Sequence, residues 1–556
     1  IMDRNTETHF SELPNVEISR SKFKRPNNHK TTYKTGDLIP IYLDQDILPG
    51  DTIHMEMASV TRMLTPLYPT MDNAYMDVYW FFVPTRLIWT HFKEFWGENN
   101  TTYWEQPVEY EIPQIEFPSG GWTEGTIADY FGVPTKVGST ETISHLPFRA
   151  YCKIVNDWFR DENLKDPCFI TMDETTVTGT NSGNYVINTE LGAKPYKVAK
   201  YHDYFTSCLP SPQKGSDVKI PLGKLSPVIT GDEHEAAGVL RFNVADGTDF
   251  KMSSTSYTAL GVRGGGTGDN DKNVYLNTVN TSVSSGNPGG ITPNNLWADL
   301  AEASAATINQ LRQAFAIQRF FEAEARSGSR YIEFIKGIFG IESPDARLQR
   351  SEYLGGYRLP INITQVLQTS ATDAVSPQGN TAAYSFTPDQ HEVFTYSSTE
   401  HGILMGLACV RTDHTYQQGI DRAWLRKKKF DCYIPQFANL GEMPVYNSEL
   451  YYQGNSTTDK EAFGYQEAWA DYRFRRNYVT GLMRSNATGT LDSWHYADDY
   501  SSMPYLDGDW IDETDANVAR TLTVTTGDQF ISDFYFDATY VRPMPVYSVP
   551  GLIDHH

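Results

Sequence analysis

The sequence predicts an all-β core, a sandwich or jelly roll into which long helical and loop excursions are inserted. Three observations carry that reading. Stretches of alternating apolar and polar residues, punctuated by Pro or Gly, lie near both ends of the 556-residue chain. The helical patterns fall between them, and no repeat with a period of about 20 to 50 residues is visible. Strand-forming ends that flank long excursions favour one sheet system closed by both ends of the chain over serial domains. Apolar residues at 40%, with 13% aromatic residues, 41 Gly and 30 Pro, exclude disorder, collagen and coiled coil as whole-chain readings.

Taken in order, the first strands are predicted in GDLIPIYLDQDILPGDTIHMEMASVTRML (Gly36 to Leu64) and NAYMDVYWFFVPTRLIW (Asn73 to Trp89). Ser144 and Pro147 then open a helix running to Arg160, in which Phe148, Tyr151, Val155 and Phe159 recur at helical spacing; it is expected on the surface of the body, stripe inward. Gly261 to Gly290 holds eight Gly and eleven Ser, Thr or Asn, the composition of an exposed, loop-rich insertion. A second helix is predicted from Ser304 to Ala325, with Ile308, Leu311 and Phe315 three and four apart and Gly328 as its stop. A shorter one follows from Tyr331 to Phe339. Strands return after Tyr353 in HGILMGLACVRT, EMPVYNSELY and FISDFYFDATYVRPMPVYSV (Phe530 onward).

The net charge of −23, from 46 basic and 69 acidic residues, argues against a general nucleic-acid binder. That average hides a segregation. Ile18 to Gly36 carries six basic residues and no acid, whereas Ala487 to Asp537 carries eleven acids and one base, Arg520. The basic residues, Arg20, Lys22, Lys24, Arg25, Lys30 and Lys34, are interleaved with Phe23 and Tyr33. They offer phosphate neutralisation together with rings on which bases can stack; a solvated tail is the plain alternative. A second basic run, Arg422, Arg426, Lys427, Lys428 and Lys429, reads as a solvated face. No apolar stretch approaches the roughly 18 residues of a spanning helix, and IMDRNTETHF has no export pattern, so synthesis in a cytoplasm is expected. The five cysteines (Cys152, Cys168, Cys208, Cys409, Cys432) are widely spaced with no CxxC pair, which predicts reduced, mostly buried thiols.

Catalytic signatures are sparse. No GxSxG, Walker A, HExxH or complete GxGxxG occurs, and GVRGGGTG (Gly261 to Gly268) sits in low-complexity sequence. His234 and His391 lack a second His at ligand spacing, and His202 beside Asp203 lacks a nucleophile. The acidic string Asp507, Asp509, Asp512, Glu513 and Asp515 has oxygen ligands for Ca²⁺ but no EF-hand glycine, and is read as a solvated loop. No catalytic residue, metal or cofactor is predicted.

Six blocks carry a resemblance. They are LPFRAYCKIVNDWFRDENL (Leu146 to Leu164), HDYFTSCLPSPQKG (His202 to Gly215), SAATINQLRQAFAIQ (Ser304 to Gln318), SPDARLQRSEYLGG (Ser343 to Gly356), FGYQEAWADYRFRRNYVTG (Phe463 to Gly481) and RPMPVYSVPGLID (Arg542 to Asp554). In this order they resemble the major capsid protein of gokushoviruses, tailless single-stranded DNA bacteriophages of the microvirus group. The resemblance implies an eight-stranded antiparallel viral jelly roll with long insertions, self-assembled into a T=1 icosahedral shell around circular single-stranded DNA, and no enzyme. It also implies an internal scaffolding protein, a small basic DNA-binding protein, a pilot protein and a host surface receptor as partners, with assembly in the bacterial cytoplasm and residence in the virion. The chain then divides into a basic N-terminal arm (1–36), whose six cations face the DNA, and a jelly-roll domain (37–556). Within the latter, 225–292 is expected to form a variable protrusion at the threefold axes, with a mobile tip at Gly261 to Gly290. The competing reading, a secreted carbohydrate-active β-sandwich enzyme, needs two carboxylates roughly 5 to 5.5 Å apart in a cleft and an export signal.

Overall fold

The structure, a computed structural model, describes residues 19–99, 108–216, 218, 228–230, 241–243, 249–251, 260–264, 274–278, 292–293, 296–298, 308–370, 372, 377–455 and 457–547. Among these residues, nine strands make the two main sheets. The basic segment supplies β1 (Ser21–Lys24) and β2 (Asn27–Tyr33), followed by β3 (Ile39–Ile47), β4 (Thr52–Met63) and β5 (Ala74–Pro84). After a long excursion come β6 (Glu352–Pro360), β7 (Thr387–Ser397) and β8 (Gly402–Thr412), and after a second one β9 (Phe530–Arg542). The first sheet has the order β1–β9–β4–β7, with β2 also paired to β9; the second has the order β6–β5–β8–β3. Every neighbouring pair is antiparallel. The strands predicted at the two ends of the chain thus lie side by side, Tyr33 opposite Phe530.

The alternation read in the sequence becomes the pleat of the first sheet. In β4, Ile53, Met55 and Met57 point inward while His54 and Glu56 stay partly exposed; in β9, Phe530, Phe534, Phe536, Ala538 and Tyr540 do the same. These side chains meet Trp80, Phe82, Leu404 and Ala408 of the second sheet to form the sandwich core. Gly406 lets the strands close over Trp80, because a Cβ there would sit 3.1 Å from the indole ring.

The second sheet is covered on its other face as well. Phe81, Ile403, Met405, Leu407 and Cys409 pack against Phe148, Tyr151 and Ile154 of helix α1 (Leu146–Ile154). Pro147 occupies the first turn, where its missing N–H costs nothing, and a π-helical turn (Val155–Phe159) extends the element to the predicted end. A third core joins Phe205, from the excursion between β5 and β6, to Tyr416, Val445, Leu450, Phe463 and Trp510 of the excursion between β8 and β9.

The chain divides into two compact units, Gly215–Phe321 and the remainder. In the smaller unit, Arg241–Asn243 pairs with Asp249–Lys251 and Thr292–Pro293, Leu260–Gly264 with Val274–Thr278, and Val228–Thr230 with Leu296–Ala298. The hairpin departs from the loop expected between Gly261 and Gly290. Val262, Val274 and Tyr275 are strand formers that composition counting outvoted. The rest of that segment, and with it the expected mobile tip, lies outside the described residues. The second predicted helix is seen as α2 (Ile308–Ser327), its first four predicted residues being outside the described set. It stops at Gly328, whose φ of +103° disfavours a side chain.

Candidate nucleic-acid and assembly surfaces

The six basic residues singled out in the sequence sit on and around β1 and β2, at the edge of the first sheet. Phe23 is packed against the sandwich core, so its neighbours Lys22 and Lys24 project to solvent. Four of the six meet carboxylates of the same chain. Lys30 stands directly opposite Asp533 in register, with Nζ 3.2 Å from the carboxylate. Lys24 lies 3.6 Å from Asp537, and Lys34 lies 3.3 Å from Asp515. Arg25 donates to the buried Asp44 at 2.6 Å and lies 4.9 Å over the Tyr540 ring. Burial opposes its charge, but Asp44 together with Tyr540 and Tyr42 prevails and raises its pKa. Arg20 and Lys22 make no ion pair among the described residues. Beside Lys30, a groove of about 520 Å³ is lined by His29, Thr32, Arg62, Asp129 and Ile531.

The acidic string does not converge. Asp507 caps the turn Gly508–Ile511 by accepting from the backbone N–H groups of Asp509 and Trp510. Asp512 accepts from Lys165 at 2.5 Å, and burial raises its pKa to about 6 despite that lysine. Asp515 pairs with Lys34, while Glu513 turns inward to a buried polar cluster. No group of three or more His, Cys, Asp or Glu suited to a metal ion occurs among the described residues.

At the centre of that cluster His414, fully buried, donates from Nδ1 to Asp498 (3.1 Å) and from Nε2 to Glu513 (2.9 Å). Donation from both nitrogens requires the imidazolium. Burial would discharge it, yet Asp498 and Glu513 prevail and lift its pKa to about 10. Burial likewise opposes ionisation of Asp498, but His414 and Lys200 hold its carboxyl well below the usual carboxylate range. Tyr500, Asn517 and Thr412 supply the remaining hydrogen bonds to the two carboxylates. An imidazolium held at both nitrogens has no lone pair with which to take a proton, so this cluster ties chain segments together. A second tie joins Asp77 of β5 to Arg358 of β6 and Arg411 of β8, with Tyr201 donating to Asp77 at 2.8 Å. Neither cluster was anticipated. Their members are spread over hundreds of residues and carry no local spacing signal.

The other sequence candidates are dispersed. His391 pairs with Asp389, Asp203 organises the turn after His202 and accepts from Tyr416, and His234 lies outside the described residues. Cys152, Cys168, Cys208 and Cys409 are buried and free, and Cys432 is exposed. Large apolar side chains remain uncovered, among them Trp96, Tyr331, Phe339, Tyr505 and Tyr547. So many exposed rings on one chain suit contacts with further protein.

Comparison with known proteins agrees along the whole chain. Residues 11–552 match the family model described as Capsid protein (F protein). The capsid protein VP1 of Spiroplasma virus 4 is 43% identical over 552 residues, covering 98% of this chain and 97% of that protein. Capsid protein VP1 of Chlamydia phage 1 is 39% identical over 586 residues (98% and 97%), and that of Bdellovibrio phage phiMH2K is 40% identical over 558 residues (99% and 98%).

Proposed function

The chain belongs to the capsid protein (F protein) family, and on that premise we propose that it self-assembles into a T=1 icosahedral shell around circular single-stranded DNA. The observation that carries the reading is the roughly 40% identity, over nearly the whole length, with three viral proteins each named capsid protein VP1. The strand orders support the finer fold. With β1 and β2 counted as one interrupted strand, two four-stranded antiparallel sheets whose successive strands mostly change sheet fit an eight-stranded viral jelly roll. The role is structural rather than enzymatic, consistent with a buried His414 that both carboxylates lock.

In this reading the protein resides in the virion and is assembled in the bacterial cytoplasm. An internal scaffolding protein, a small basic DNA-binding protein and a pilot protein are its partners there. Because acidic residues far outnumber basic ones, a separate basic protein would reduce repulsion between wall and genome. Arg20, Lys22, Lys24, Arg25, Lys30 and Lys34 face the interior and neutralise phosphates without reading bases. The insertion 225–292 forms the threefold protrusion that meets the host surface receptor.

Negative-stain imaging and sizing of the purified chain test the central claim. Isometric megadalton particles are expected, and a small oligomer would refute it. Replacing the six cations by Gln is expected to lower DNA content per particle while the sandwich stays folded; unchanged content would refute their role.

A further inference from the structure

The strongest charged feature outside the surfaces above lies on the excursion between β8 and β9. Two runs, 422–430 and 472–491, hold nine basic residues and no acid, in a chain of net charge −23. Folding brings them together. Arg426 pairs with Asp471 and lies 4.1 Å over the Tyr472 ring, while Arg422 and Ala423 share a cleft of about 330 Å³ with Arg473, Phe474 and Arg475.

Arg484 donates to the Gln417 carbonyl at 2.6 Å, and the other eight cations divide into two sets. Arg422, Arg426, Arg473 and Arg476 are tied to Glu449, Asp471, Glu467 and Asp421. Lys427, Lys428, Lys429 and Arg475 are exposed and make no ion pair among the described residues. The Asp431 carboxylate accepts from the backbone N–H groups of Lys427 (2.9 Å) and Lys428 (2.7 Å), which fixes the course of the lysine run. Rings stand exposed beside these charges: Trp424 is 78% exposed, Phe474 57% and Tyr478 53%, while Phe430, 60% exposed, has the Lys429 ammonium 4.8 Å over its ring.

We propose that this surface binds single-stranded nucleic acid, with Lys427, Lys428, Lys429 and Arg475 on its phosphates and with Trp424 under its bases. Unpaired cations beside uncovered rings are the two requirements for sequence-tolerant binding of a single strand. A second copy of the chain is the rival occupant, but three consecutive exposed lysines argue against it, because protein interfaces are depleted in Lys. The surface also has more cations free than the segment 20–34, where four of six are engaged by the chain's own carboxylates. That the strand is a packaged genome rests on the capsid reading; the binding itself does not.

The test uses dissociated full-length subunits and a fluorescent 20-nucleotide oligothymidine, read by anisotropy across a salt series. A variant carrying Lys427→Gln, Lys428→Gln, Lys429→Gln and Arg475→Gln is expected to bind at least tenfold more weakly. Its plot of log affinity against log salt should flatten by about 3, at roughly 0.7 per lost phosphate contact. Trp424→Ala is expected to weaken binding on the order of tenfold with the slope unchanged. Acylation of lysines in the unaltered chain, mapped by mass spectrometry, should show Lys427 to Lys429 protected by the oligonucleotide; this readout requires no substitution to fold. Undiminished binding by the fourfold variant, loss confined to a Lys22→Gln, Lys24→Gln, Lys30→Gln control, or equal acylation with and without the oligonucleotide would each overturn the proposal. Normal oligonucleotide binding with failed particle formation would instead assign the surface to a second copy. Since binding is read on subunits, an unaltered chain that forms no shell would contradict the capsid reading alone.

Discussion

The two sheets are both antiparallel, yet they solve different problems. In β9 of the first sheet the sequence FISDFYFDATYVR alternates, and its outward residues Ile531 and Tyr535 are about half exposed. In β8 of the second, GILMGLACVRT, every residue but Arg411 is buried, because α1 and its neighbours cover the face that the first sheet leaves open. A continuous apolar run therefore marks a middle layer and an alternating one marks a boundary. The second sheet is the interior of a three-layer body; the first remains available to whatever lies beyond the subunit.

The sharpest way to break this contrast is to place the same charge on the outward face of each sheet. Leu407→Asp should abolish the soluble fold, since a buried unpaired carboxylate adds to the loss of a core side chain and the cost exceeds about 3 kcal/mol. Tyr535→Asp should stay within about 0.5 kcal/mol of the parent in denaturant unfolding. A large loss for Tyr535→Asp would mean that the first sheet is covered within the subunit.

The polar interior sharpens the contrast from another side. His414→Asn strands two buried carboxylates and is expected to cost about 3–5 kcal/mol. Because the folded-state pKa of His414 is raised to about 10, its contribution is fully present below the unfolded value of about 6.5 and is lost as pH rises through about 10. Asp498 has the opposite sign: its depressed pKa contributes stability above about 3.9 that disappears as pH falls below that value. Unfolding measured from pH 3 to 11 should give a plateau with both flanks, and the His414→Asn variant should lose the alkaline one.

Smaller effects follow at closer range. Gly406→Ala puts a methyl 3.1 Å from Trp80 and should cost about 1–3 kcal/mol by overpacking, visible as a lowered denaturation midpoint. Lys30→Ala removes a solvent-exposed cross-strand pair and should cost no more than about 1 kcal/mol, a difference that salt erases.

What the sequence disclosed follows from range. Alternation in β4 and β9, the proline at the start of α1 and the glycine ending α2 are local signals, and each was legible. The 20–34 segment reads as a free arm because no acid lies within it; Asp515, Asp533 and Asp537, the partners of Lys34, Lys30 and Lys24, come some 500 residues later. The string Asp507 to Asp515 reads as one cluster because its members are adjacent, yet alternation and a helical cap send them to separate partners. Similarly, the basic run at 422–429 reads as a solvated face because its link to the segment 471–476, Arg426 to Asp471, spans 45 positions.

The pairing of β2 with β9 also acts in time. Lys30 and Asp533 are separated by 503 positions, so at about 5–20 residues per second a ribosome needs roughly 25 to 100 s to deliver the second strand after the first. Until then the inward faces of β2 and β4 have no strand between them, and the sandwich cannot close. Completion of the polypeptide thereby becomes the clock for maturation: a half-made subunit lacks the finished sheet, and its unpaired strand edges and apolar faces stay open until the last strand is made.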